Sequence, residues 1–350
     1  MSGFISGKAP RLTLRRFVIA LAVCAFAAAV VAFAALIIGV GTGRDGRYLD
    51  ILSTDALTDG SWDSKILALR VPRVLASLLV GGALAGAGCA LQALLRNPLA
   101  EPFTLGISSG SSLFAVLAIR LGIESSLGDV GVGFAALLGA LVTLVLVWRL
   151  AQVGRQLPPA TLVLAGVTLS MFCSAASVLI QYTSDFTEVS HMLRWMLGAL
   201  DSMNMDKIKY GAPPILVGLF VLSLYGRSLN ALAAGPDVAA SLGVRVGRTT
   251  TIVFFLASLL VGAAIAVAGP IGFIGLIVPH SLRAILGPDH RLLIPASVFG
   301  GAVLLTVCDT LARTVTTPLP TGAVTALLGG PFFLLILVSQ KRRAALWSRA

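Results

Sequence analysis

The sequence predicts an all-α membrane protein with about ten transmembrane helices, and three observations lead to that class. Hydrophobic residues make up 57% of the 350 residues and charged residues only 12%. The mean hydropathy is +0.95, and soluble domains contain about 25% charged residues. A spanning helix needs roughly 20 apolar residues, and runs of that kind recur along the chain. Little sequence is left for a soluble domain.

Ten apolar runs are the candidate spans, at 17–41, 66–94, 103–120, 130–149, 160–182, 208–226, 249–268, 271–286, 292–313 and 321–339. The first run follows a basic segment and stays uncharged to Gly43. The apolar core of a secretory signal is shorter, roughly 7–15 residues, so we expect a retained first helix. The expected layout is a tail at 1–16, a single transmembrane domain at 17–340 and a second tail at 341–350.

The charges predict how the chain is oriented. The 26 Lys and Arg residues outnumber the 15 Asp and Glu residues, which gives a net charge of +11. Basic side chains such as Arg96 and Arg248 lie in alternate connections, and acids such as Asp63, Glu124 and Asp185 lie in the others. Positive connections stay on the cytoplasmic side of a membrane. We therefore expect both termini in the cytoplasm, a lipid bilayer as the surroundings and no nucleic-acid partner.

Two features subdivide or tighten the apolar runs. The stretch 249–282 contains no charged residue, and Gly269-Pro270 divides it into two spans that meet at an outer turn. Pro279 is expected to bend the second, shorter span. The segment "GGALAGAG" spaces Gly82 and Gly86 four residues apart, which lets helix backbones approach closely. We expect this close approach inside the bundle rather than at a dimer face.

A polar segment separates the second and third spans. Asn97-Pro98 is a turn-forming pair, and Ser108 and Ser109 open a row of hydroxyl groups in the following span. Those hydroxyl groups could line a transport pathway or bond to backbone and neighbouring helices. The sequence leaves both readings open.

The longest inner connection, 227–250, contains a short helix signal. Pro236-Asp237 begins it, the helical stretch runs to Leu242, and Gly243 ends it. Such a helix parallel to the membrane suits the docking of a soluble partner. The alternative is an interfacial helix that rests on lipid headgroups.

The remaining polar residues give no catalytic or metal site. Asp309 is the only acid in the ninth span and lies one helical turn from Arg313, so the two could form a structural pair or a functional one. His280 and His290 have poor ligand spacing, and the four cysteines form no Cys-x-x-Cys pair. No cofactor is expected. The phosphate-binding pattern G-x-x-x-x-G-K-[ST] does not occur in the sequence, so any ATPase would be a separate chain.

Four sequence blocks resemble those of the FecCD-type permeases. They are "RVPRVLASLLVGGALAGAGCALQALLRNPLAEPFTLGISSG" from Arg70, "RWMLGAL" from Arg194, "GPIGFIGLIVPHSLRAILGPDHRLLIPAS" from Gly269 and "LPTGAVTALLGGPFFLLIL" from Leu319. These permeases are membrane subunits of bacterial ABC importers for ferric siderophores, haem and cobalamin. The blocks keep the family order and extend over most of the chain.

The resemblance implies a type II ABC importer fold and a set of partners. These are a second permease, identical or homologous, two cytoplasmic ATPase subunits, and a periplasmic or lipid-anchored substrate-binding protein. By motif position, the coupling helix that meets the ATPase would comprise Asp237, Val238, Ala239, Ala240, Ser241, Leu242 and Gly243. Arg70 and Arg313 would dock the binding protein, which competes with pairing of Arg313 to Asp309. One departure is Pro318, where the family commonly has an acid.

The expected function is import of an iron chelate, a ferric siderophore, through the bacterial cytoplasmic membrane. Haem and cobalamin are the alternative cargoes. A rival from another class is a proton-coupled secondary transporter that uses Asp309, and a third reading is a structural membrane scaffold. The segment from Pro279 to Arg291 is expected to form an inner turn whose prolines and glycines set the bend.

Overall fold

The computed structural model describes residues 13–43, 46–51, 62–154, 156–201, 203–315 and 317–347. Thirteen α-helices and one antiparallel strand pair lie within those ranges. The elements are α1 (Leu14–Ile37), β1 (Ile38–Gly43), β2 (Gly46–Ile51), α2 (Trp62–Leu94), α3 (Ile107–Arg120), α4 (Ile123–Ala151), α5 (Pro159–Tyr182), α6 (Phe186–Met196), α7 (Met205–Leu224), α8 (Gly226–Ala233), α9 (Pro236–Ser241), α10 (Val246–Ala268), α11 (Ile274–Leu286), α12 (His290–Thr314) and α13 (Thr321–Trp347).

The predicted ten-helix membrane architecture is confirmed. Within the described ranges, eight helices are long and apolar enough to cross a membrane, namely α1, α2, α4, α5, α7, α10, α12 and α13. Helices α3 and α11 are apolar but shorter, with 14 and 13 residues. Each of the ten predicted spans therefore corresponds to one helix.

The structure corrects the prediction at several boundaries. Helix α1 ends at Ile37, and the chain enters β1 where the sequence predicted the end of the first span at residue 41. Helices α6 and α8 were not predicted, because both are short and lie in connections between apolar runs. The last helix continues to Trp347, through the boundary expected at residue 340.

Consecutive spans alternate in direction, which gives the bundle two ends. One end carries α8 and α9, and it is called the α9 end below. There Arg16 of α1 donates a 2.9 Å hydrogen bond to the carbonyl oxygen of Leu286 in α11. The opposite end carries α6 and is called the α6 end. There the Ala199 amide donates to the carbonyl oxygen of Ala268 over 3.0 Å.

Helix α2 lies at the centre of the bundle and packs by close backbone approach. Gly81 contacts Gly301 of α12 so closely that a methyl group on either glycine would overlap the other's carbonyl group. A methyl group on Gly88 would likewise overlap the carbonyl group of Gly275 in α11, and one on Gly275 would approach the carbonyl oxygen of Leu84. Gly86 leaves room for the side chain of Leu219 in α7. The glycine-rich segment therefore serves packing within the chain, as predicted.

The predicted break between α10 and α11 is also present. Gly269 ends α10 with φ of 69°, and Phe273 precedes α11 with φ of 68°. The carboxylate of Glu101 accepts a hydrogen bond from the Phe273 amide, so this side chain satisfies a backbone donor at the start of α11.

Pro279 lies inside α11, where it removes a backbone donor. A proline at this position cannot donate to the carbonyl oxygen four residues earlier, which belongs to Gly275. The Gln92 side chain of α2 donates to that oxygen over 3.2 Å. This bond supplies a donor to the carbonyl oxygen that Pro279 leaves without one and joins α11 to the central helix.

Candidate functional site

The short helix predicted in the connection 227–250 is present as α9, from Pro236 to Ser241. Pro236 occupies the first helical turn, where its missing N–H is not needed. Gly235 and Gly243 flank the helix with φ of 122° and 80°, a region that side chains other than glycine rarely adopt. The Val244 amide then bonds to the carbonyl oxygen of Ala239 at 2.9 Å and closes the last turn.

Helix α9 buries only one of its residues against the rest of the chain. Ala239 is completely buried, whereas Val238 is 46% exposed and Leu242 is 69% exposed. The exposed positions are Asp237, Val238, Ala240, Ser241, Leu242 and Gly243. Val238 and Leu242 are four residues apart and lie on one side of the helix. The connection therefore offers a small apolar surface at the α9 end.

The polar segment after α2 has structural contacts. The side-chain oxygen of Asn97 accepts a 3.0 Å bond from the Leu99 amide, and Pro98 is exposed in that turn. Ser108 is buried in α3, and Ser109 is partly exposed. Gly110, between the hydroxyl groups of this row, lies directly against Thr143 of α4. These contacts favour helix packing over a pathway lining for this segment.

His280 of α11 lies against α13. Its ring meets the ring of Phe332 edge to face, with centroids 6.3 Å apart. Together with the Gln92 contact opposite Pro279, this places both residues in contacts between helices. Within the described ranges, no three His, Cys, Asp or Glu side chains are close enough to hold a metal ion.

Asp309 pairs with Arg73, and the proposed pairing with Arg313 is wrong. The Nε atom of Arg73 lies 2.9 Å from Asp309 Oδ2, and its Nη2 atom lies 2.9 Å from Oδ1. The hydroxyl group of Thr321 donates to Oδ1 over 2.9 Å. The carboxylate is therefore bound by α2 and α13 at the α6 end. Arg73 was missed because it is 236 residues away in sequence.

Arg70 and Arg313 both hold the end of α1. Arg70 is buried, and its Nη1 atom donates to the carbonyl oxygens of Leu36 and Ile37 at 3.0 and 2.9 Å. Arg313 donates to the carbonyl oxygen of Ala35. Cations near the last carbonyl groups of a helix stabilise it. In this chain both arginines thus have a structural role, and docking of a binding protein stays a prediction for them.

A cavity of about 560 Å³ opens at the α6 end, within the usual range of ligand pockets, roughly 300–1,000 Å³. Its wall includes Arg73, Arg194, Trp195 and Thr321. Thus the cavity brings together α2, α6 and the start of α13. The cavity could not be predicted from the sequence, because its wall comes from five distant segments.

One ion pair and one histidine–carboxylate contact lie in the wall of this cavity. Lys207 of α7 reaches Asp129 of α4 over 2.8 Å, and His191 of α6 lies 3.2 Å from Glu124. Arg194 differs from these residues. It is exposed, and in the part of the chain that the structure describes it makes no hydrogen bond or ion pair. It is therefore the cation of the cavity wall that is available to an incoming group.

The spanning helices within the described ranges define a polytopic membrane protein. A model of the FecCD transport family matches residues 27–339. The chain belongs to the FecCD transport family.

Similar proteins agree with that assignment. The chain is 40% identical over 276 residues to the cobalamin import system permease protein BtuC of Halobacterium salinarum, covering 79% of this chain and 74% of that protein. It is 36% identical to the hemin transport system permease protein HmuU of Yersinia pestis, covering 95% and 97%. A solved structure described as an inward-facing conformation of a metal-chelate type ABC transporter is 30% identical. It superposes with a TM-score of 0.79 over 92% of this chain and 99% of that one.

Proposed function

We propose that this chain is the membrane subunit of an importer for an iron chelate, and that the cargo is a ferric siderophore. Similarity to a metal-chelate type transporter over nearly the whole chain supports the chelate. Relatives named for hemin and cobalamin make these the alternative cargoes. The membrane is the bacterial cytoplasmic membrane, with the α9 end and both termini facing the cytoplasm.

The observation that carries the proposal is the geometry of α9. A short helix with one buried residue and two exposed apolar side chains, Val238 and Leu242, is suited to receive force from a soluble partner. That partner is a pair of ATPase subunits on separate chains. Closure of the ATPase pair displaces α9, and the permease alternates between two arrangements of its helices.

Two further partners complete the assembly. Helix α5 exposes large apolar side chains, including Leu164, Met171 and Leu179, each about two-thirds exposed or more. This face supports pairing with a second permease, identical or homologous, around a central pathway. A substrate-binding protein, periplasmic or lipid-anchored, delivers the chelate to the α6 end.

Uptake by the reconstituted complex tests the function. The tagged chain, purified from host membranes in mild detergent, should bring an ATPase with it. In liposomes that contain the binding protein, ferric siderophore uptake should require ATP and persist without a pH gradient. Haem and cobalamin are the competing cargoes in the same assay. Uptake that a pH gradient drives without ATP would instead establish the proton-coupled rival that uses Asp309.

Charge reversal at the α6 end tests docking of the binding protein. Arg194→Glu should weaken binding at low salt, with a smaller effect at high salt, and leave thermal stability unchanged because the side chain is exposed. Arg70→Glu should weaken docking and also lower stability, since it opposes the α1 carbonyl groups.

The matched control for docking is Lys209→Glu. Lys209 is exposed at the same end, pairs with Asp206 at 3.0 Å and lies outside the cavity wall. It should bind the partner nearly as well as the unmodified chain. An equal loss in both glutamate variants would show that only the general surface charge matters.

A further inference from the structure

A single side chain joins α8 to the beginning of α12. The side-chain oxygen of Asn230 accepts a 2.8 Å bond from the His290 backbone amide and lies 2.8 Å from His290 Nδ1. Its Nδ2 atom donates to Asp289 Oδ1 over 2.8 Å. Since the donation to Asp289 fixes the orientation of the amide, His290 Nδ1 carries a proton and donates to Asn230. We call this set of three bonds the Asn230 clamp.

The Asn230 clamp lies in a tight interface. His290 is only 4% exposed, and Leu229 of α8 is fully buried. A methyl group on Gly226 of α8 would approach the Cα atom of Arg291 to 3.0 Å. Helix α8 therefore packs directly against the first turn of α12, and a displacement of one is passed to the other.

Asp289, the acceptor in the Asn230 clamp, is also bound by Arg291. Asp289 is the N-cap of α12 and accepts a bond from the Arg291 amide at 3.0 Å. The guanidinium of Arg291 also donates to it, at 2.6 Å for the shorter contact. These hydrogen bonds hold the pKa of Asp289 at about 2, so the carboxylate is ionised at cytoplasmic pH.

The clamp connects α8, at the α9 end of the bundle, to α12, which runs from that end to the α6 end. Helix α8 is separated from α9 by only Ala234 and Gly235. Helix α12 has 25 residues, or about 37 Å at 1.5 Å per residue. Its far part carries Asp309, which binds Arg73 and Thr321 in the wall of the α6-end cavity. A continuous set of contacts thus connects α9 to the opposite end.

We propose that Asn230 is a positioning residue for transport, which passes the displacement of α9 to α12 and so to the cavity at the α6 end. The inference rests on the proposed function, because it requires an ATPase acting on α9. Without the amide, α8 and α12 still touch, but the directional bonds between them are lost.

The experiment measures cargo imported per ATP hydrolysed by the complete complex in liposomes. Asn230→Ala leaves two donors of His290 without a partner, and Asn230→Asp sets a carboxylate against Asp289. Each variant should lower the ratio by roughly tenfold while ATP hydrolysis continues. The double variant Asn230→Asp with Asp289→Asn restores a donor and an acceptor between the two positions. It should recover most of the ratio.

The matched control is Asn204→Ala at the α6 end. Asn204 caps α7 through a 2.9 Å bond from the Lys207 amide, so its loss removes a helix cap without touching α8. Its transport ratio should stay normal. The clamp proposal is overturned if Asn230→Ala imports normally per ATP, or if the double variant is as defective as Asn230→Asp. An unmodified complex that hydrolyses ATP without importing cargo would refute the proposed function itself, and the clamp with it.

Discussion

Replacing Leu242 with aspartate should abolish cargo uptake while the chain keeps its fold. The side chain is 69% exposed at the end of α9, so the isolated permease loses little. In the assembled transporter the new carboxylate would be buried without a partner against the ATPase, which costs about 2–5 kcal/mol. Uptake per complex should fall by roughly 30-fold or more. The measurement is ATP-driven uptake in liposomes, with ATP hydrolysis recorded in parallel.

The choice of residue follows from the burial within α9. Ala239 looks equally suitable in the sequence, but it is completely buried. An aspartate there would unfold the loop, so that a loss of coupling could not be distinguished from a loss of structure. Val153→Asp is the control, since Val153 is an apolar side chain, 59% exposed, in the α4–α5 connection at the same end. Normal uptake by the Leu242 variant would show that α9 does not couple ATP hydrolysis to transport.

The second large effect is expected from breaking the Arg73–Asp309 pair. The two side chains are 17% and 3% exposed, so Arg73→Leu leaves a buried carboxylate without its cation. Removing one partner of a buried ion pair costs about 3–5 kcal/mol. We expect a marked fall in the unfolding temperature, measured on the purified chain in detergent by the exposure of buried cysteines.

A double variant separates the charge effect from the loss of packing. Arg73→Leu combined with Asp309→Leu removes both charges of the pair and should be clearly more stable than Arg73→Leu alone. Lys209→Ala breaks a pair whose side chains are 70% and 64% exposed, and it should change stability by no more than about 1 kcal/mol. If the double variant is as unstable as the single one, the ion pair is not the source of the effect.

The ten spans and α9 could be predicted from the sequence because their signals are local. An apolar run of sufficient length specifies a membrane helix. Pro236 and Gly243 mark the two ends of α9. The same reasoning located the break at Gly269, where φ is positive. None of these features depends on a distant part of the chain.

The contacts of the charged residues could not be predicted in this way. Arg313 is one turn from Asp309 in the sequence, yet the carboxylate binds Arg73 from another helix. The short helices α6 and α8 carry too few apolar residues to be noticed as spans. The bonds from Arg70 to the carbonyl groups of Leu36 and Ile37 join two helices, and no local sequence signal indicates them.

The backbone contact between Gly81 and Gly301 has a mechanical consequence. Gly301 lies near the midpoint of the helix that begins at His290 and ends at Thr314. At that point the backbones of α2 and α12 touch without intervening side chains, so neither helix can shift towards the other. A methyl group on either glycine would have to push α2 and α12 apart at mid-length.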